Sequence, residues 1–248
     1  MGFRLEQFDA VLSALDEGGR PFLLIGGQAV YFWATAYLAK EPALDQWQPF
    51  MSKDIDFQGS RSDLIRFAKQ LGTVPRFPHK KEMTAWAGVA QIKVGGETTS
   101  VDFLRFMPGV KPHEAVRFAV EREFQDRRVR VVDPISLLSC KAYLAFRVDQ
   151  KDRRDVDHVR MLVICIRAFL REGLEGVESN EISERGWLSA VERVLKMAES
   201  SMGRKTTKRL GVDWHQALPL LEIAASRHRA PVQLREKRLP RWSAKLAR

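Results

Sequence analysis

Three short stretches decide how this chain is read: Ser52-Lys53-Asp54-Ile55-Asp56-Phe57, the earlier Leu24-Ile25-Gly26-Gly27, and the later Ser100-Val101-Asp102-Phe103-Leu104. In an extended strand alternate side chains share a face, so Asp54 and Asp56 project together while Ile55 and Phe57 point to the core. Asp102 is packaged in the same way, an acid between Val101 and Phe103. Carboxylates brought close together repel one another unless a cation compensates them. Hard divalent ions suit that role, because they bind through a few carboxylates together with water and substrate phosphates. A strand that ends in two glycines at a helix entrance adds a place where backbone amides can approach a phosphate unobstructed. A lone Gly-Gly is usually a tight turn, and a lone Asp-x-Asp is usually a solvated strand face. Their joint order along one chain is much harder to produce by accident.

That order resembles the DNA polymerase β-type nucleotidyltransferase superfamily, whose minimal signature is a Gly-Gly or Gly-Ser turn, an Asp-x-Asp strand and a third acid on a neighbouring strand. The resemblance is greatest to small prokaryotic members of toxin–antitoxin and abortive-infection systems. A second block carries it further. Val132-Asp133-Pro134-Ile135-Ser136-Leu137-Leu138-Ser139-Cys140-Lys141-Ala142-Tyr143-Leu144-Ala145-Phe146-Arg147, followed by Lys151-Asp152-Arg153-Arg154-Asp155, is similar to the family's helix-borne lysine segment. The likeness spans about residues 20–160. It implies that Asp54 and Asp56 bind Mg²⁺ or Mn²⁺, with Asp102 the third ligand or the base for the incoming hydroxyl. It further implies that Gly26, Gly27 and Ser52 hold the triphosphate of an NTP and that Lys141 approaches phosphate. For Asp152 and Asp155 two readings stand: they orient Lys141 or Arg147, or they form ion pairs on a helix surface. The interval from Gly27 to Asp54 is longer than in compact members, and residues 40–52 read as an inserted loop, either a lid or acceptor contact or simple decoration.

Working outward, Phe3 to Leu15 has helical spacing and Gly18-Gly19 is expected to end it. Pro21 to Ile25 reads as a buried strand, Gln28 to Leu38 as a helix packed on it, Lys53 to Phe57 as a strand and Ser62 to Leu71 as an amphipathic helix. Strands are expected at Thr84–Val94, Thr98–Phe106 and Phe124–Val132, the first two joined by a glycine hairpin, with a short helix over Pro112–Val120. Asp133-Pro134 suits an N-cap followed by proline at the first helical position, and the pattern stays helical almost to residue 200, with another helix near His215–Arg227. The fold class is therefore α+β: a nucleotidyltransferase-like mixed β-sheet domain flanked by helices (1–132), a helical domain (133–203), and a basic C-terminal helix and tail (204–248).

The 248 residues carry 41 Lys and Arg against 31 Asp and Glu, a net charge of +10. Residues 204–248 hold twelve of those cations and three acids, so that stretch accounts for +9 and the remainder for +1. A polyanion docking on such a surface releases counterions, which favours nucleic acid; a solvated end that keeps the protein soluble is the plainer alternative. Trp242, amid Arg241 and Lys245, is the one tryptophan positioned in sequence for base stacking. The two cysteines, Cys140 and Cys165, sit in apolar segments and build no disulfide framework. The five histidines have no zinc spacing. No apolar run approaches the roughly 20 residues of a membrane span, and the first residues have no signal core, so a cytoplasmic protein is expected.

Together these readings anticipate a Mg²⁺-dependent enzyme that transfers NMP from NTP to a hydroxyl with release of pyrophosphate. RNA, particularly a tRNA end, is the first acceptor considered and a protein side chain the second; a cognate antitoxin is a further expected partner. Two competing classes remain at this stage. One is a metal-dependent nuclease, although Phe103-Leu104-Arg105 lacks the acid-x-Lys pattern such enzymes place on a strand. The other is a non-catalytic nucleic-acid or partner-binding protein of the same fold.

Overall fold

The structure is a computed structural model that describes residues 2–16, 22–79 and 81–246. Gly18-Gly19 and Pro21, expected to end the first helix and open the first strand, lie outside the described residues. The architecture is mixed α+β, a seven-stranded sheet flanked by helices and followed by a helical C-terminal part. The chain divides into two compact units, one formed by Met1–Ala36 and Gln46–Cys140, the other by Tyr37–Asp45 and Lys141–Arg248.

The first unit is built on the sheet. Its strands are β1 (Leu23–Ile25), β2 (Ile55–Gln58), β3 (Pro75–Arg76), β4 (Trp86–Val94), β5 (Glu97–Leu104), β6 (Val120–Phe124) and β7 (Arg127–Val131), in spatial order β3-β4-β5-β2-β1-β7-β6. β1 runs antiparallel to β2 and parallel to β7, and β2 runs parallel to β5. The all-apolar β1 is buried at every position, as an interior strand covered on both faces must be. β2 and β5 instead alternate: Ile55, Phe57, Val101 and Phe103 are fully buried while Asp56 and Asp102 between them are half-buried. Phe103 packs against Phe57 and Phe67 with ring centroids 5.8 and 5.4 Å apart, so the apolar phase of the alternation fixes which way the acids face.

Helices α1 (Asp9–Asp16), α2 (Gly26–Tyr37), α3 (Arg61–Gln70) and α4 (Pro112–Arg117) accompany the sheet. α3 starts on a reciprocal capping box in which the Ser60 side chain accepts from the Asp63 amide and the Asp63 side chain accepts from the Ser60 amide. The α2 residue Trp33 is fully buried and donates its indole N–H to the Val132 carbonyl at 2.9 Å. The Gly95-Gly96 hairpin forms as expected, both glycines at positive φ. A second hairpin replaces what reads in sequence as the single strand Phe124–Val132. Gln125 and Asp126 both take positive φ (49° and 61°), and β6 and β7 pair across them. Neither residue is glycine, so the turn has no sequence signature.

The helical unit contains α6 (Asp155–Glu178), α7 (Glu184–Glu199), α8 (Ser201–Leu210), α9 (Leu220–Ala225), α10 (Arg229–Gln233), a π-helical turn at Leu234–Arg238 and α11 (Leu239–Leu246). α5 (Pro134–Arg147) contributes its first half to the sheet unit and its second half to this one. It is capped as expected, with the Asp133 carboxylate accepting from the Ile135 and Ser136 amides at 3.1 Å each. The stretch read as continuous helix to residue 200 is broken at Val148–Arg154 and again between Ser179 and Ser183.

The inserted loop 40–52 is firmly built in. Its first part includes a 3₁₀ turn at Pro42–Trp47 and belongs to the helical unit up to Asp45. There the buried Glu41 receives Arg167 through a bidentate contact and Arg171 at 3.0 Å. Its later part belongs to the sheet unit, where Phe50 stacks on Tyr31 and Ser52 exchanges backbone hydrogen bonds with Phe3 at 2.7 and 3.0 Å.

Candidate metal and phosphate site

β2 and β5 lie side by side and parallel with Asp56 directly opposite Asp102. Two carboxylates at matched positions on neighbouring strands must meet on one face. Asp54 joins them from the bend just before β2, which begins at Ile55 rather than at Lys53 as the sequence suggested. One carboxylate oxygen from each of Asp54, Asp56 and Asp102 lies within 4.8 Å of the others, and all three residues are half-buried. The three acids that the sequence singled out are therefore brought together.

Each is held by its own supports. The Asp54 carboxylate accepts from the Ser52 hydroxyl at 3.1 Å. Ser52 is positioned by its bridge to Phe3, whose carbonyl also accepts from the side-chain amide of the fully buried Gln28 at 2.9 Å. Asp102 accepts the indole N–H of Trp86 at 2.8 Å on one oxygen and the Ser100 hydroxyl at 3.1 Å on the other. Burial pushes the Asp102 carboxyl above its ordinary value; the Trp86 and Ser100 hydrogen bonds oppose this, and the negative charge of Asp54 adds to it. Trp86 escaped sequence reading because it reaches Asp102 across the β4–β5 pairing, beside an irregularity between Trp86 and Gly88. Ser100 was legible in principle, since it lies two residues before Asp102 on the same strand face.

Gly26 adjoins this cluster. It has φ +71°, and a β-carbon placed on it would come 2.6 Å from Cγ and 2.8 Å from Cβ of Asp56. The antiparallel register sets Ile25 opposite Asp56, so the end of β1 and the start of α2 press directly on the aspartate. Only glycine tolerates both that torsion and that approach. The unpaired amides of a helix start carry partial positive charge, which suits an anion beside them. Gly27 follows as a buried residue in the first turn of α2.

Lys141 is placed in the helical unit, with only 5% of its surface exposed. Its ammonium donates to Asp155 at 3.0 Å, and Asp155 also accepts from Arg153 at 2.6 Å. Of the two readings for Asp155, orientation of Lys141 is the one the geometry supports, since a residue 1% exposed is no surface ion pair. Burial alone would raise the Asp155 carboxyl, but Lys141 and Arg153 outweigh it and the net displacement is downward. His158 lies in the same region, and burial with the Lys141 charge drives its imidazole well below the usual range, so it stays neutral. Trp242, considered for base stacking, is 2% exposed and donates to the Leu195 carbonyl at 3.3 Å. It is a core residue of the helical unit, and a ring so enclosed has no face to offer a base. His215 ties α11 to the 3₁₀ turn at Trp214–Ala217, its two ring nitrogens 3.0 Å from Asp213 and from Ser243.

No family model matches the sequence, and no curated protein matches it. Solved structures similar at low identity include these two. One is an antigenic nucleotidyltransferase-like protein from Paracoccidioides brasiliensis, 14% identical with a TM-score of 0.43, covering 66% of this chain and 78% of its own. The other is JHP933 from Helicobacter pylori, 14% identical with a TM-score of 0.35, covering 98% of this chain and 94% of its own. No described helix is long and apolar enough to cross a membrane.

Proposed function

We propose that the chain is a divalent-metal-dependent nucleotidyltransferase that moves a nucleoside monophosphate from NTP to a hydroxyl group, with RNA as the acceptor. The observation that carries this is the convergence of Asp54, Asp56 and Asp102 within 4.8 Å, abutted by the glycine that opens α2. Three half-buried carboxylates supply only oxygen ligands and excess negative charge, a donor set that suits Mg²⁺ or Mn²⁺. When bound, such an ion would neutralise charge on the triphosphate and on the departing pyrophosphate.

The chain's own residues would do the positioning. Ser52 keeps the Asp54 carboxylate aimed at the cluster, and the start of α2 does the same for Asp56 while presenting backbone amides to phosphate. In the transfer the acceptor oxygen forms a bond to the α-phosphorus, the bond from that phosphorus to the bridging oxygen breaks, and pyrophosphate leaves with that electron pair. The hydroxyl proton passes to an Asp102 oxygen, whose seating between Trp86 and Ser100 fixes its direction.

The test is incubation with each α-labelled NTP, Mg²⁺ and total RNA, comparing the native chain with Asp56→Asn. Label is expected to enter RNA with the native chain only. Shortening of RNA without incorporation would favour hydrolysis, and incorporation undiminished in Asp56→Asn would remove the acidic cluster from the chemistry.

A further inference from the structure

The basic character of residues 204–248 is far from uniform once folded. Arg204 donates to the Glu199 carbonyl, Lys205 lies 4.5 Å above the Phe146 ring, and Arg235 closes the end of α9 by donating to the carbonyls of Ala224 and Ser226 at 2.7 and 3.2 Å. These cations serve the helical unit itself. A different group faces outward around one cavity of about 470 Å³, where α7 meets the π-helical turn and α11. Lys196, Lys237, Arg238, Arg241 and Lys245 line it, all exposed, against only Glu192 and Glu199.

Those two acids are already matched. Glu192 is paired with Arg238, and Glu199 with Lys245 at 3.1 Å. Lys196, Lys237 and Arg241 remain with no ion-pair partner among the described residues. Like charges gathered round one concavity repel, and a ligand with regularly spaced negative charge relieves that repulsion while releasing its counterions. Because the one tryptophan lining this cavity is buried, the groove offers charge without a stacking platform, which suits a sugar-phosphate backbone rather than bases.

We infer that this groove docks the phosphodiester backbone of single-stranded RNA through Lys196, Lys237 and Arg241; the choice of RNA rests on the acceptor proposed above. Each phosphate contact to a single strand contributes about 0.7 to the slope of log K against log salt. Removing three should lower the slope by about 2, equivalent to about 100-fold weaker binding at 0.1 M salt.

The experiment is fluorescence anisotropy of a labelled 20-nucleotide oligo(U) with the full chain, in EDTA and without NTP, across a KCl series. The triple variant Lys196→Ala/Lys237→Ala/Arg241→Ala is expected to show the reduced slope and affinity. A control that removes the same charge from exposed positions outside the groove, Lys208→Ala/Arg209→Ala/Arg227→Ala, should change the slope far less. Equal losses in both variants, an unchanged groove variant, or tighter groove-dependent binding of polyglutamate than of oligo(U) would overturn the inference. Binding measured in EDTA and without NTP does not depend on nucleotidyl transfer. Absence of nucleotidyl transfer with groove-dependent binding intact would therefore count against the catalytic reading alone.

Discussion

Gly26→Ala separates two explanations of the glycine that opens α2. If the glycine exists only to admit a phosphate, alanine should leave the ligand-free protein almost unchanged. The structure predicts otherwise. Alanine at φ +71° costs about 1–2 kcal/mol. Its β-carbon, 2.6 Å from Asp56 Cγ, adds an overpacking penalty of about 1–3 kcal/mol. Restriction of the unfolded chain offsets about 0.4–1 kcal/mol. The net loss is about 2–4 kcal/mol, read as faster amide hydrogen exchange in β1 and β2 with EDTA present. Asp56→Gly removes the three atoms nearest the new β-carbon, so in Gly26→Ala/Asp56→Gly the collision part should largely disappear. The double-mutant cycle should therefore show a coupling of about 1–3 kcal/mol. Additive costs, or a loss below about 0.5 kcal/mol for Gly26→Ala alone, would refute the close approach of β1 to the aspartate.

Two further outcomes test the supports of the site and of the helical unit. Asp155→Asn leaves the Lys141 ammonium buried without its counter-charge and should destabilise the chain by about 3–5 kcal/mol at pH 7. Since the folded-state carboxyl of Asp155 titrates below its unfolded value, its stabilisation is complete above about pH 4 and declines as pH falls through the folded value. Urea denaturation at a series of pH values should show the native and variant curves converging only in acid, and a gap constant down to pH 2 would contradict the pairing. Trp86→Phe keeps the ring but removes the donor to Asp102, so Mn²⁺ affinity measured by calorimetry should fall about 10-fold with the far-UV spectrum unchanged. Unaltered affinity would mean that the indole contact does not orient the carboxylate.

How far the site could be read in advance follows from the range of the interactions that make it. The facing of Asp56 and Asp102 is a local matter: apolar neighbours on both sides force each acid to the opposite face of its strand, and sequence states this directly. Their mutual placement needs β2 beside β5, a non-local pairing that only the resemblance implied. The Gln125-Asp126 turn was illegible because glycine, the usual mark of positive φ, is missing from it. Sequence leaves the pairing of Lys141 with Asp155 as one of two open readings, because a lysine's spacing on a helix does not say which carboxylate returns to meet it. The basic tail shows the same limit, since charge counts take no account of which guanidinium closes a helix end.

Local rules are strained in this chain just where the acids gather. A glycine with positive φ opens a helix against an aspartate, a carboxylate is desolvated next to two others, and an indole is committed to holding it. Strained backbone and a desolvated carboxylate beside other acids each cost stability unless something compensates them. Natural sequences are elsewhere locally consistent, and departures that converge from separate elements on one point are the mark of a functional site. Gly26 on α2, Asp54 before β2, Asp56 on β2, Trp86 on β4 and Asp102 on β5 come from four elements and a bend. A cluster of half-buried carboxylates is costly without a counter-charge, and that cost is the physical argument for the cation proposed to sit among Asp54, Asp56 and Asp102.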